Sequence, residues 1–248
     1  MTGWKKVSGL AANPSVGWEW SPLPRTGGAP MRSERSLAIS GHDCQLHGMS
    51  PVIRVATTAD ATRIAEIYAP AVLEKSTSFE IAAPTAEEML SRMNKVLPNL
   101  PWLVCEYDGR VIGYSYASAH HERAAYRWSV DVAVYVGPEA HRRGVGTALY
   151  AALFEILKLQ GYRNVYAGIT LPNPASEGMH SRAGFVPVGV YHHVGYKFGA
   201  WHDVGWYERA LLPTVKEPPE PSPFAEIRNS PEVANALAKG QKLVRRIS

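Results

Sequence analysis

Regular alternation of apolar and polar positions begins at Val52. Val52 to Ala56 reads as a short strand, and Thr57-Thr58-Ala59-Asp60 offers side chains to cap a helix carrying Ile64, Ile67 and Tyr68. Thr85 to Glu88 is a capping box, in which hydroxyl and carboxylate each satisfy free backbone donors. Met89, Leu90 and Met93 follow it at helical spacing, so a second helix comes after the Ser78-Phe79-Glu80 loop. Trp102 to Tyr107 and Arg110 to Ala119 flank Asp108-Gly109, a pair that favours the left-handed conformations of a tight hairpin turn. Val130, Val132, Val134 and Val136 then alternate with Asp131, Ala133 and Tyr135, so the valines share one face of a strand and Asp131 points away from it.

From Gly144 the period changes to helical, with Leu149, Leu153, Ile156, Leu157 and Gln160 on one stripe and Gly161 as the stop. A strand at Val165 to Thr170, a helix to about Ala183 and strands at Phe185 to Val190 and Asp203 to Leu211 complete an α/β (α+β) domain over residues 51–212 with no internal repeat. Residues 1–50 are rich in Gly, Pro and Ser and show neither period; they read as a poorly ordered extension, open to a targeting role, with Met49 as an alternative translation start. Past Leu212, residues 213–248 open with Pro213, Pro218, Pro219, Pro221 and Pro223 as an extended linker. A short helix over Glu232 to Arg246 follows, its basic end read as a solvated tail.

Composition adds limits. Hydrophobic residues at 46% and charged residues at 19% of 248 exclude a disordered or fibrous chain. The net charge of +4 is scattered except near Arg142-Arg143 and Lys239 to Arg246, which fits a polyanionic cofactor at one site and gives no reason to expect nucleic acid. Cys44 and Cys105 are too few for a disulfide framework and suggest no metal site, which fits a reducing, cytoplasmic setting. No apolar run of membrane-spanning length or signal-peptide type occurs, so no membrane partner is expected.

The segment with most chemistry is Val134-Tyr135-Val136 followed by His141-Arg142-Arg143-Gly144-Val145-Gly146-Thr147 and the long helix. Glycines admit a close ligand, a helix N-terminus presents free N–H groups, and two arginines attract phosphate. A Gly-x-Gly at a helix start serves equally as a plain cap, and the dinucleotide and Gly-Lys-Ser/Thr fingerprints are absent.

The loop resembles the pyrophosphate loop of the GNAT N-acetyltransferases, Arg/Gln-x-x-Gly-x-Gly/Ala, with His141 at the first position. Over Ile53 to about Leu211 the chain is similar to the phosphinothricin and methionine sulfoximine/sulfone acetyltransferase group. The landmarks run in order: Ser78-Phe79-Glu80, Tyr126 to Asp131, Val134 to Val136, Leu171-Pro172-Asn173, His180 before Ala183-Gly184-Phe185, Val194 to Gly199, Trp201 and Asp203-Val204. The resemblance implies a GNAT fold, a central mixed, mostly antiparallel twisted sheet flanked by helices with acetyl-CoA in the cleft at the central strands. It also implies acetyl transfer to the amine of a small amino-acid-like acceptor, without a metal, by a homodimer.

Carried over by residue, the resemblance implies acetyl-CoA contacts at Val134, Tyr135 and Val136, at Arg142, Arg143, Gly144, Val145, Gly146 and Thr147, and at Asn173 and Arg182. Asn173 reads equally as a cap of the helix after it. Asp131 stands where relatives usually carry Glu and is the expected proton acceptor, directly or through water. His180, where a tyrosine is common, is the expected proton donor to the leaving thiolate, with a packed structural histidine as the alternative. The acceptor is expected at Phe79, Glu80, Arg123, Ala124, Ala125, Tyr126, Lys197 and Trp201, the last two bounding a loop. Neither cysteine lies in a nucleophile motif, so transfer is expected to be direct.

Overall fold

The computed structural model describes residues 50–245. The expectations for residues 1–49, including the extension, the start at Met49 and Cys44, lie outside the described residues, as does Arg246. The first strand, β1 (Val52–Val55), leads into a single 3-10 turn and α1 (Ala61–Leu73), whose entry is fixed by Asp60 accepting the Thr57 N–H at 2.7 Å. The capping box before α2 (Ala86–Val96) forms as expected: Thr85 Oγ1 accepts from the Glu88 N–H at 3.1 Å, and Glu88 Oε2 accepts from the Thr85 N–H at 2.8 Å. Strands β2 (Trp102–Tyr107) and β3 (Arg110–Ala119) meet at Asp108 and Gly109, which both adopt positive φ, 52° and 69°.

Next come β4 (Ser129–Val136), α3 (Val145–Gln160), β5 (Asn164–Leu171), α4 (Pro174–Arg182), β6 (Val186–Lys197) and β7 (Ala200–Ala210). The seven strands form one mixed sheet in the order β1-β2-β3-β4-β5-β7-β6. All neighbours are antiparallel except β4 and β5. That one parallel pair is joined only at Ser129↔Asn164, Val130↔Val165 and Asp131↔Tyr166. Beyond these registers β4 continues to Val136 and β5 to Leu171 without pairing to each other, so the middle of the sheet opens into a cleft at Asp131.

The hairpin β6–β7 is longer than its sequence pattern indicated. Lys197 and Ala200 pair across a two-residue turn, Phe198-Gly199, both at positive φ, so no loop spans Lys197 to Trp201. The pattern failed where β6 does: register shifts between Tyr191 and Gly195, with His193 at φ 51°, interrupt the alternation that would have extended the strand.

Two apolar layers cover the sheet. On one face α3 buries Leu149, Leu153, Ile156 and Leu157 with Val130, Val132 and Val165; on the other α1 and α2 bury Ile64, Met89 and Met93 with Trp102 and Tyr114. Each fully buried aliphatic side chain contributes on the order of 1.5–3 kcal/mol. Cys105 is core, its thiol pushed up to about 12 by burial. The segment read as a linker and solvated tail is packed. Trp128 Nε1 donates to Pro219 O at 2.8 Å, and Gln160 Nε2 donates to both Asn99 O and Ser222 O at 2.8 Å. Phe224, in the one-turn helix α5 (Phe224–Ile227), is fully buried, and α6 (Pro231–Gln241) sets Val233 and Ala236 into the α3 layer. A proline run excludes helix and central strand; it does not exclude a pinned strap, and the outer face of α6, with Glu232, Asn235 and Lys239, meets water.

Candidate active site

Strand pairing dictates which amides line the cleft. The Gly137 N–H donates to Ile112 O on β3 at 2.8 Å, and alternation by two turns the N–H groups of Val136 and Val134 the other way, toward β5 and past its last pairing with β4 at Asp131↔Tyr166. There β4 and β5 have parted, so these donors border open space and can receive an extended chain of amides and carbonyls. Tyr135, expected among the cofactor contacts, sends its ring to the opposite face, against Tyr68 at 4.9 Å and Tyr114 at 5.4 Å, and its backbone pairs with Tyr114 on β3, so its polar groups turn away from the cleft.

At its far end β4 delivers the chain into the 142–147 loop. Arg142 and Gly144 both take positive φ, 63° and 80°, and Gly144 caps α3 with no side-chain hydrogen bond. The N–H groups of Val145, Gly146 and Thr147 therefore open a 16-residue helix as free donors beside the exposed Arg142. Gly146 sits close to the strand: a Cβ there would come within 3.7 Å of Val134 Cγ2 and 3.8 Å of Val136 Cγ2. The open amides and the helix start thus form one continuous track, with the shape and charge required by a long amide-bearing arm ending in a pyrophosphate.

At the vertex of the cleft Asp131 is half-buried, with His120 Nδ1 2.7 Å from its Oδ1. Burial raises the Asp131 carboxyl above its ordinary value, against the pull of the His120 hydrogen bond. His120 stacks on Tyr166 at 4.5 Å, and Tyr126 stands 4.7 Å from His121 and 6.0 Å from His120, so the ring of Tyr126 comes near the partner of Asp131; Arg123 and Ala124, on the same exposed turn, line a hollow with Lys95, Asn99 and Tyr162. Sequence reasoning missed His120. Its only signal was a polar pair, His120-His121, ending a strand, and its contact with Asp131 depends on the β3–β4 register, in which Ser118 opposes Asp131.

Phe79 and Glu80 gather at another edge of the same sheet face. Glu80 is held by Arg92 through two bonds, 2.7 and 2.9 Å, and accepts from Tyr68 Oη at 2.9 Å; Arg92 keeps its carboxyl below the ordinary range. Between this cluster and Asp131 lies Tyr116, whose hydroxyl is pushed up to about 12 by burial, with Glu80 and Asp131 adding to the rise. Arg92 and Tyr116 also escaped the sequence reading, because each reaches the site from an element whose spacing reports only packing.

Three expectations are corrected. Lys197 is buried and donates to Val72 O and Ser78 O, both at 2.6 Å; it ties the hairpin to the carbonyl end of α1 and is committed to the fold, not to an acceptor. Trp201 is exposed beside Tyr196, away from Asp131. The row through Asp131 continues to Tyr166 and Glu208, and Trp201 lies seven residues further along β7, about 23 Å by strand rise. His180 is buried against Tyr150 and Phe185, with Nδ1 2.9 Å from Ser176 O and Nε2 3.0 Å from Tyr150 Oη. Burial lowers its pKa and both nitrogens are engaged, so the geometry favours the packed histidine over the proton donor. Asn173 does cap α4, its Oδ1 accepting from the Ser176 N–H at 3.2 Å. Arg182 is exposed in the last turn of α4.

Comparison with known proteins places this geometry. The family model for the acetyltransferase (GNAT) domain matches residues 53–206. A phosphinothricin N-acetyltransferase of Streptomyces viridochromogenes is 35% identical over 170 residues, 68% of this chain and 93% of the relative. An L-methionine sulfoximine/L-methionine sulfone acetyltransferase of Pseudomonas aeruginosa is 33% identical over 175 residues, 68% of this chain and 100% of the relative. A GNAT superfamily phosphinothricin acetyltransferase of Sinorhizobium meliloti, solved in complex with AcCoA, matches with a TM-score of 0.66 at 35% identity, covering 69% of this chain and 95% of that one. With its seven-stranded sheet, the cleft between β4 and β5 and the matched span, this chain belongs to the GNAT family of N-acetyltransferases.

Proposed function

We propose that the chain acetylates the amine of a small amino-acid-like acceptor such as phosphinothricin, methionine sulfoximine or methionine sulfone, with acetyl-CoA as donor. The observation that carries this reading is the parting of β4 and β5 at Asp131, which sets one carboxylate at the head of a track of open amides leading to the free N–H groups of α3. Val145, Gly146 and Thr147, with Arg142 and Arg143, hold the pyrophosphate; Val134 and Val136 amides and Asn173 hold the arm. Bound acetyl-CoA supplies an activated acetyl thioester.

The acceptor arrives as an ammonium, which is not a nucleophile. Asp131 in contact with His120 takes its proton: the raised carboxyl is a better base than an exposed aspartate, and the imidazole extends the reach of a side chain one methylene shorter than Glu. A backbone N–H of β4 would meet the negative charge that builds on the acyl oxygen during attack; as the C–N bond forms the C–S bond breaks, and coenzyme A leaves as a thiolate that takes up the second proton shed by the attacking nitrogen. Tyr126 near His120, on the same turn as Arg123, and Phe79 and Glu80 across Tyr116 bound the acceptor.

On β6 at the sheet edge, Val186, Val188, Val190, Tyr191, Val194 and Tyr196 are exposed, which supports a homodimer through this strand.

A thiol-release assay with acetyl-CoA tests the acceptor class against phosphinothricin, methionine sulfone, methionine sulfoximine, common amino acids and polyamines. The reading expects the highest kcat/KM among the first three; a higher value for a polyamine or an ordinary amino acid overturns it.

A further inference from the structure

The family match ends at residue 206, and the chain continues through a strap and a helix that return to the cofactor track. The crossing of α6 on α3 is close because Gly240 permits it: a Cβ there would stand 2.6 Å from Ala148 O and 2.9 Å from Ala152 Cβ. Lys239 Nζ lies 3.3 Å from Glu155 Oε1 on the same flank. The opposite flank of α3, bearing Tyr150 and Phe154, faces α4 through His180 and Phe185. At about 100° per residue, Ala148 and Ala152 each lie some 200° from Tyr150, so α6 approaches α3 from the side away from α4.

Beyond α6 the chain runs behind the loop. A Cβ on Gly144 would lie 2.8 Å from Leu243 O, and the Arg245 N–H donates to Arg143 O at 2.9 Å. This bond has a directional consequence. In a trans peptide the carbonyl and the following N–H point opposite ways, so turning Arg143 O toward the strap turns the Gly144 N–H away from it. Gly144 has no side chain to fix its own orientation and α3 has no side-chain cap, so the strap supplies what the loop lacks.

We infer that the C-terminal segment 242–245 is a positioning device for the cofactor loop, holding the Arg143–Gly144 peptide so that the N–H groups at the start of α3 are oriented for the pyrophosphate of acetyl-CoA. The inference rests on the assignment of the 142–147 loop to that pyrophosphate. Its chemistry is one backbone hydrogen bond, so the test removes one donor. Arg245→Pro deletes the N–H, whereas Arg245→Ala keeps it and removes only the side chain.

Isothermal titration with acetyl-CoA and steady-state kinetics are run on the full chain and both variants, with thermal unfolding of each without ligand. The expected result is a Kd and KM for acetyl-CoA raised about three- to tenfold in Arg245→Pro, the scale of one oriented anion contact at a helix start, with kcat and the unliganded Tm unchanged. Arg245→Ala should bind as the unaltered chain does. An unchanged Kd in Arg245→Pro, an equal loss in Arg245→Ala, or a loss matched by a lower unliganded Tm overturns the positioning role. Failure of the unaltered full chain to bind acetyl-CoA overturns the assignment of the loop itself, a result separate from any of these.

Discussion

Asp131, His120 and His180 show how environment sorts titratable residues into roles. Asp131 was legible from strand alternation, which sends it off the valine face, but its partner was not, because His120 meets it across a register that no local pattern reports. His180 was legible as a position, with its role open between proton donor and packed histidine. Its place after Asn173 says nothing about burial, and the fold spends both ring nitrogens on Ser176 and Tyr150. His180→Ala should therefore destabilise the chain by about 2–4 kcal/mol, through lost packing and an orphaned Tyr150 hydroxyl, while kcat/KM stays within about threefold. Urea unfolding and thiol release measure the two; a drop in kcat of a hundredfold with unchanged stability would restore the donor role. The pH sign follows from burial. A folded pKa below the ordinary histidine value means that protonation favours the unfolded chain, so this residue's contribution to stability fades as the pH falls through the histidine range.

Elements with strong local signals were the easiest to read. The α2 capping box, the Asp108-Gly109 turn and the α3 stripe ending at Gly161 each carry their own stop or start, and each formed where expected. The hairpin β6–β7 carried none, since its shifted register breaks the period that would have marked it. Its attachment is a matter of contact: Phe79 packs on Gly195 so closely that a Cβ there would lie 2.3 Å from Phe79 Cε2. Gly195→Ala should displace Phe79 and with it the Ser78–Glu80 loop, raising KM for the acceptor severalfold while leaving KM for acetyl-CoA unchanged. Equal KM values for both substrates in variant and unaltered chain would detach Phe79 from the acceptor site.

At the scale of the whole molecule, composition limited the possibilities to a globular chain with two small basic patches, and the ordered motifs narrowed them to acetyl transfer. The packing of residues 213–245 was beyond reach of either. Prolines report what a backbone refuses, and the hydrogen bonds from Trp128 and Gln160 that pin the strap come from far along the chain. The unpaired edge β6 is the other whole-molecule feature, an exposed row of valines and tyrosines that a second copy would cover. Light scattering should report twice the chain mass, and Val188→Glu with Val190→Glu should return it to one; a monomer in the unaltered chain contradicts the dimer.

The central claim is that Asp131, where β4 and β5 part, takes the proton from the acceptor amine, and the pH dependence of kcat/KM for the best acceptor tests it most directly. In the unaltered chain the rate should rise through an acid limb above the ordinary carboxylate value, because burial raises this carboxyl, and then level off. Asp131→Asn should lower kcat/KM by about a hundredfold or more near neutrality and leave a rate that keeps climbing with pH as free amine accumulates. An Asp131→Asn profile that overlays that of the unaltered chain would contradict the account.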